Sequence, residues 1–112
     1  MTPTARSLAY LRANGWTVCV VEKWNAFAKI RQDAFGFGDL LAFKEPTHLD
    51  LPTIALVQVT SVGNVAARRK KIMALSTSDG WKNACGMILL HGWSKKGPRG
   101  KRKVWTLTEE IL

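Results

Sequence analysis

Two polar residues stand where a buried strand would not hold them. Asp39 falls in the apolar run 35–43, and Gln58 falls late in the apolar run 54–60. Both runs are short and bounded by Gly or Pro, which predicts buried strands. Strand side chains alternate between faces, so Gln58 and Thr60 point the same way as Ile54 and Leu56. A buried carboxylate needs a partner or a cation, because desolvating it alone is costly. On neighbouring strands, Asp39 and Gln58 would together hold a metal ion. Side chains on opposite faces of the sheet would remove the basis for that chemistry.

The second candidate chemistry is polyanion binding. The chain of 112 residues carries a formal charge of +9, unevenly spread. Residues 1–61 hold six Lys/Arg against five Asp/Glu, and residues 62–112 hold eleven against three. A basic half of this kind suggests a polyanion partner, with a solvated basic face as the plainer alternative. The cations cluster twice. Arg68, Arg69, Lys70 and Lys71 are consecutive, and Lys95, Lys96, Arg99, Lys101, Arg102 and Lys103 crowd a Gly- and Pro-containing loop. A tip so charged cannot pack, so it is either disordered or bound to phosphate. An anionic membrane surface fits less well, since no basic helix has a clear lipid-facing side.

The elements that must position these residues follow in order. A helix is predicted over 4–14, capped by Thr4, with Leu8 and Leu11 on one face. A strand over 16–22 ends at Glu22, either as a solvated strand end or as a third carboxylate. Residues 23–34 read as an irregular segment or short strand, with Trp24, Phe27 and Ile30 as core candidates and Asp33 as a turn residue or supporting carboxylate. Residues 44–52 form a polar loop in which His48 is a surface residue. Ser61 is expected to cap a helix over about 62–76, whose apolar stripe is Val62, Val65, Ala66, Ile72 and Met73. Asn64, Arg68 and Lys71 line one edge of that stripe, and Arg69 falls inside it. A turn at Ser78-Asp79-Gly80, a short link at 81–83 and strands over 86–93 and 104–108 complete the chain. The expected architecture is a single α/β domain with a mixed central sheet and a C-terminal basic hairpin. Cys19 and Cys85 are expected to be buried and reduced. No apolar run approaches the roughly 18 residues of a membrane span, and no signal peptide is visible, so the expected location is the cytoplasm of a bacterium or phage-infected cell.

An Asp heading one strand, a loop, then a strand ending Glu-x-Lys and a helix is the pattern of the PD-(D/E)XK nuclease superfamily. Restriction enzymes, Holliday-junction resolvases and many small phage nucleases share it. The chain resembles this pattern from its first helix through the basic helix after Thr60. Gly38-Asp39 stands for Pro-Asp, and Gln58-Val59-Thr60 stands for Glu-x-Lys. Gln keeps an oxygen ligand but drops a charge, and Thr removes the expected cation. The resemblance implies a restriction-endonuclease-like fold and Mg2+ or Mn2+ bound by Asp39, the Gln58 oxygen and the Val59 carbonyl. It makes Glu22 a further carboxylate near the ion. It also makes Lys71 or Arg68 the stand-in for the missing lysine, ahead of Arg69, which would instead pair with Asp39 or Glu22.

Three functions follow from these readings. The first is a metal-dependent endonuclease acting on DNA, with branched or structured DNA suggested by the resolvase-like outline and a homodimer as a compatible state. The second is an inactive nucleic-acid-binding module on a nuclease fold. The third is a small phage protein whose basic half meets an acidic host surface.

Overall fold

The first helix begins earlier than its apolar spacing suggested. In the computed structural model, which describes residues 1–46 and 53–112, α1 spans Pro3–Ala13. The Thr2 side chain, not that of Thr4, caps it by accepting the Ala5 N–H at 3.1 Å. Pro3 fixes the geometry of the first helical position, so the cap falls one residue before it. Gly15, at φ +87, turns the chain into β1 (Thr17–Val20).

After β1, the chain makes a two-stranded hairpin of β2 (Lys23–Asn25) and β3 (Ile30–Gln32). The main sheet continues with β4 (Leu40–Lys44) and β5 (Thr53–Ser61). A 3-10 turn (Val62–Asn64) leads to α2 (Val65–Met73) and α3 (Ser76–Asn83). Strands β6 (Met87–Lys96) and β7 (Val104–Ile111) close the chain. The five-stranded sheet has the order β1-β4-β5-β6-β7, and only the β5–β6 pair is parallel. A parallel neighbour requires a crossover, and α2 with α3 supplies it. The result is an α/β domain with a mixed sheet flanked by helices.

Each face of the sheet has its own apolar cluster. Leu11, Val18, Leu40, Val57 and Leu89 pack on the α1 side. Phe37, Leu56, Val65, Ile72, Ile88 and Leu90 pack on the side of α2 and α3. Strand β5 is covered on both sides, which explains its unbroken apolar run. The alternation sends Gln58 toward the α2 side with Leu56.

Several local expectations are corrected. Residues 34–38 form a turn rather than strand: the Gly38 N–H donates to the Ala34 carbonyl, and Phe35 (φ +57) and Gly36 (φ +87) reverse the chain. Trp24, Phe27 and Ile30 are exposed, because a hairpin outside the main sheet has no second layer to cover them. The single helix expected over 62–76 is broken at Leu75, and Ser78-Asp79-Gly80 lies inside α3. Buried Ser78 makes the break possible, donating to the carbonyls of Ile72 and Leu75. Ser61 makes no capping bond to the backbone; its hydroxyl accepts from the Asn64 amide. Val62 and Met73 stay exposed, leaving Val65 and Ile72 as the buried stripe of α2. Both cysteines are exposed and free: Cys19 lies on edge strand β1, and Cys85 (φ +69) lies in the turn after α3. His48 and residues 47–52 of the expected loop lie outside the described residues.

Candidate functional site

Asp39 immediately precedes β4, and its N–H donates to the Val57 carbonyl at 2.9 Å. That register carries its carboxyl across to β5. Oδ2 accepts Gln58 Nε2–H at 2.6 Å and the Val59 N–H at 2.7 Å. Both Asp39 and Gln58 are 2% exposed. The chain then adds acids from the ends of the outer hairpin. Glu22 precedes β2, Asp33 follows β3, and ligand oxygens of Glu22, Asp33 and Asp39 lie within 4.8 Å of one another.

Three carboxyls this close cannot all ionise without a cation among them. Burial, then hydrogen bonds shared with the Asp33 and Glu22 carboxyls, push Asp39 up to about 8, against the opposing pull of the Val59 N–H. Gln58 Oε1 is buried with no hydrogen-bond partner among the described residues. Such an orphan costs about 1–3 kcal/mol. The three carboxyls form an all-oxygen group that fits a hard divalent cation. Gln58 turns its amide nitrogen, not the expected oxygen, toward Asp39, so its oxygen would ligate an ion beside Asp39 only after the amide flips. At Val59 the contact seen is the N–H on Asp39.

Lys71 lines a cleft of about 570 Å³ together with Lys23, Arg31 and Asp33, and of the three acids only Asp33 lines it. Arg68 makes no ion pair among the described residues. Arg69 does not approach Asp39 or Glu22. Its Nε and a terminal nitrogen donate to the two carboxylate oxygens of Glu110 on β7, at 2.6 and 2.7 Å. This pair explains how an Arg sits within the apolar stripe of α2. The partner of Glu22 is instead Arg31, at 2.7 Å. Asp33 both opens the turn, its backbone carbonyl accepting the Gly36 N–H, and joins the acidic group through its side chain.

Sequence reasoning missed a second polar cluster on the α1 face. Trp93 Nε1–H donates to Ser7 Oγ at 2.8 Å, and Ser7 lies 2.8 Å from His91 Nδ1. His91 Nε2 lies 2.8 Å from Glu109 Oε2. Indole is a donor only, so the consistent arrangement has Ser7 O–H donating to Nδ1 and Nε2–H donating to Glu109. Ser, His and acid in line resemble a hydrolase triad, but Ser7 and His91 are fully buried, and no substrate carbonyl reaches Oγ. The cluster ties α1 to β6 and β7. The one available signal was a His inside an apolar strand run, which demands partners.

Burial holds His91 below its ordinary value of 6.5, against the opposing influence of Glu109. The unfolded chain therefore takes up a proton that the folded chain refuses. This contribution to stability is complete above about pH 6.5 and shrinks as pH falls, by at most about 1.4 kcal/mol per pH unit. Asp39 acts with opposite sign: its contribution is present at low pH and is lost as pH rises through about 8. Subtracting the stability curve of His91→Gln from that of the wild type isolates the histidine. The difference should fall between pH 6.5 and 5, and a flat difference would mean that His91 is already charged in the fold.

The basic surface divides between the two faces of the sheet. Trp105 on β7 carries the Arg6 guanidinium 4.2 Å and the Lys95 ammonium 5.3 Å from its ring centroid. Arg102 and Lys103 line a cleft with Arg6 and Trp105. This group belongs to the α1 side, whereas residues 68–71 lie on α2, across the sheet. Lys96 pairs with Val104, so the strands run into what was expected to be loop, and only 97–103 form the tip. Among the described residues, no helix is long and apolar enough to cross a membrane. Compared with known proteins, the chain matches no family model, no curated protein and no solved structure.

Proposed function

We propose that the chain is a metal-dependent endonuclease of restriction-endonuclease-like fold, acting on DNA and cutting branched or structured forms. The observation that carries this reading is the buried Asp39–Gln58 contact, with Glu22 and Asp33 in reach and Gln58 Oε1 unsatisfied. Asp39, Glu22, Asp33 and Gln58 would hold Mg2+ or Mn2+. When bound, the ion polarises the scissile phosphate and favours the ionised form of an attacking water. Val59 fixes Asp39 through its N–H. Lys71, on the wall of the cleft that Asp33 also lines, would supply positive charge toward a phosphate there, the role left vacant by Thr60. The water gives up a proton as its oxygen bonds to phosphorus, the P–O bond to the leaving strand breaks, and the leaving oxygen takes up a proton in turn.

The second reading, an inactive nucleic-acid-binding module, is favoured by two observations. Thr60 carries no charge, and Arg31 already occupies Glu22. Incubation of branched and linear DNA with Mn2+, and with chelator, separates the two. Ion-dependent cleavage is the expected result. Binding without cleavage of any substrate would leave the module.

Under either reading, phosphate contacts dominate affinity. Each neutralised phosphate contributes roughly −0.9 to the slope of log K against log salt on duplex DNA. Replacing Lys95, Lys96, Arg99, Lys101, Arg102 and Lys103 with Ala is expected to flatten that slope by several units in an anisotropy titration. An unchanged slope would make this basic end of the hairpin a solvated surface.

A further inference from the structure

The β2–β3 hairpin grows directly out of the acidic group. Glu22 precedes its first strand and Asp33 follows its second. Its tip is ordered: Asn25 Oδ1 accepts the N–H groups of Phe27 and Ala28 at 3.0 Å each, and Lys29, at φ +56, turns the chain back. On this fixed turn Phe27 is 101% exposed. Trp24 and Ile30 are also exposed on this hairpin, and a group of exposed apolar side chains on an ordered loop marks a contact surface.

The neighbours say what that surface is. Lys23, Lys29 and Arg31 stand among Trp24, Phe27 and Ile30 along the hairpin. Lys23 and Arg31 continue into the cleft shared with Asp33 and Lys71. Cations interleaved with aromatics bind phosphates and stack bases. Lipid fits less well. Trp24 pairs with Arg31 and Asn25 with Ile30, so Trp24 and Ile30 lie on opposite faces and no single apolar face exists. Strands of three residues span about 10 Å, which places the tip within a few nucleotides of the carboxyls.

We propose that Phe27 is a stacking wedge. It takes an unpaired base at a branch, gap or end and holds the adjacent phosphodiester over Glu22, Asp33 and Asp39. The inference rests on the nucleic-acid reading above and narrows the substrate to DNA in which unstacked bases adjoin duplex.

Binding measured with chelator present tests the wedge apart from cleavage. The probes are a fluorescein-labelled four-way junction carrying 2-aminopurine at the branch and a blunt duplex of the same sequence. Wild type is expected to raise the 2-aminopurine signal as the base leaves its stack. Phe27→Ala should abolish that rise and weaken junction binding roughly tenfold, the scale of one lost base–aromatic stack. Duplex affinity and melting temperature should not change, and Phe27→Tyr should restore the junction effect. Junction binding by Phe27→Ala equal to wild type overturns the wedge, as does equal weakening on junction and duplex. A Phe27-dependent affinity for phosphatidylserine vesicles, or a Phe27-dependent dimer in sedimentation, with junction binding unaffected, overturns it in favour of those partners. Wild type that shows the Phe27-dependent junction effect yet cuts nothing sinks the nuclease reading and supports the wedge. Ion-dependent cleavage with a Phe27→Ala variant that binds junctions normally does the reverse. No DNA binding at all removes both.

Discussion

Asp39→Ala is expected to abolish ion-dependent cleavage while salt-sensitive DNA binding survives. Asp39 is the buried member of the acidic group and the one held by both Gln58 and the Val59 N–H. Glu22 and Asp33 enter from the hairpin ends and are more exposed, so neither replaces an acid fixed to the sheet. Loss of groups that merely support metal ligands commonly costs about 10–100-fold, so loss of a central ligand should exceed about 100-fold. A second readout does not depend on activity. An ion that binds only the folded chain raises stability by about 2.7 kcal/mol at 100 times its Kd. Wild type should show this rise when melted with and without Mn2+, and Asp39→Ala should not. Equal cleavage by both proteins would identify a contaminating nuclease. A wild type that neither cuts nor gains stability from Mn2+ would leave the binding module as the function.

What was legible in the sequence follows from physical range. That Asp39 and Gln58 meet on one face was readable because strand alternation is a local rule; that the amide nitrogen, not the oxygen, meets the carboxyl was not. The terminal hairpin was readable because a Gly- and Pro-containing charged loop separates two apolar runs. Asp33 was only half readable: its position before Phe35 marks a turn, and nothing local says that the turn carries its carboxyl back to Asp39. The extent of α3 was illegible because Ser78-Asp79-Gly80 has turn composition. A buried serine that finds two carbonyls overrides that preference.

Pairings across long separations were beyond the sequence. Ser7 and His91 are 84 residues apart, and Arg69 and Glu110 are 41 apart. Each pair forms because a helix is laid over a particular strand of the sheet, and the sheet order was not known from spacing. The exposure of Phe27 failed for the opposite reason. An aromatic residue predicts burial by default, and the default breaks where a hairpin leaves the layered core. Both kinds of failure bear on function: the first hid a buried relay that fastens α1, and the second concealed the stacking residue proposed above.

Gln58→Glu is expected to change stability in opposite directions with and without a divalent cation. Without one, the substitution removes the amide donor that meets Asp39 at 2.6 Å and puts a carboxyl in its place. Asp39 is already pushed up to about 8 by burial and by Asp33 and Glu22, so a fourth acid must share protons or repel. Losing the donor and crowding the site should cost about 1–3 kcal/mol, read as a lower melting temperature in chelator. With Mn2+ the sign reverses. A carboxylate attracts a dication more strongly than an amide oxygen does, and it replaces the orphaned Oε1 with a charged ligand. Calorimetric titration should show Mn2+ binding tightened by at least roughly tenfold, and the Mn2+-dependent rise in melting temperature should exceed that of wild type. Gln58→Leu supplies the control, since it removes both polar atoms and should weaken ion binding. If the Glu and Leu variants bind Mn2+ as wild type does, Gln58 does not touch the ion, and the site reduces to the three carboxyls of Glu22, Asp33 and Asp39.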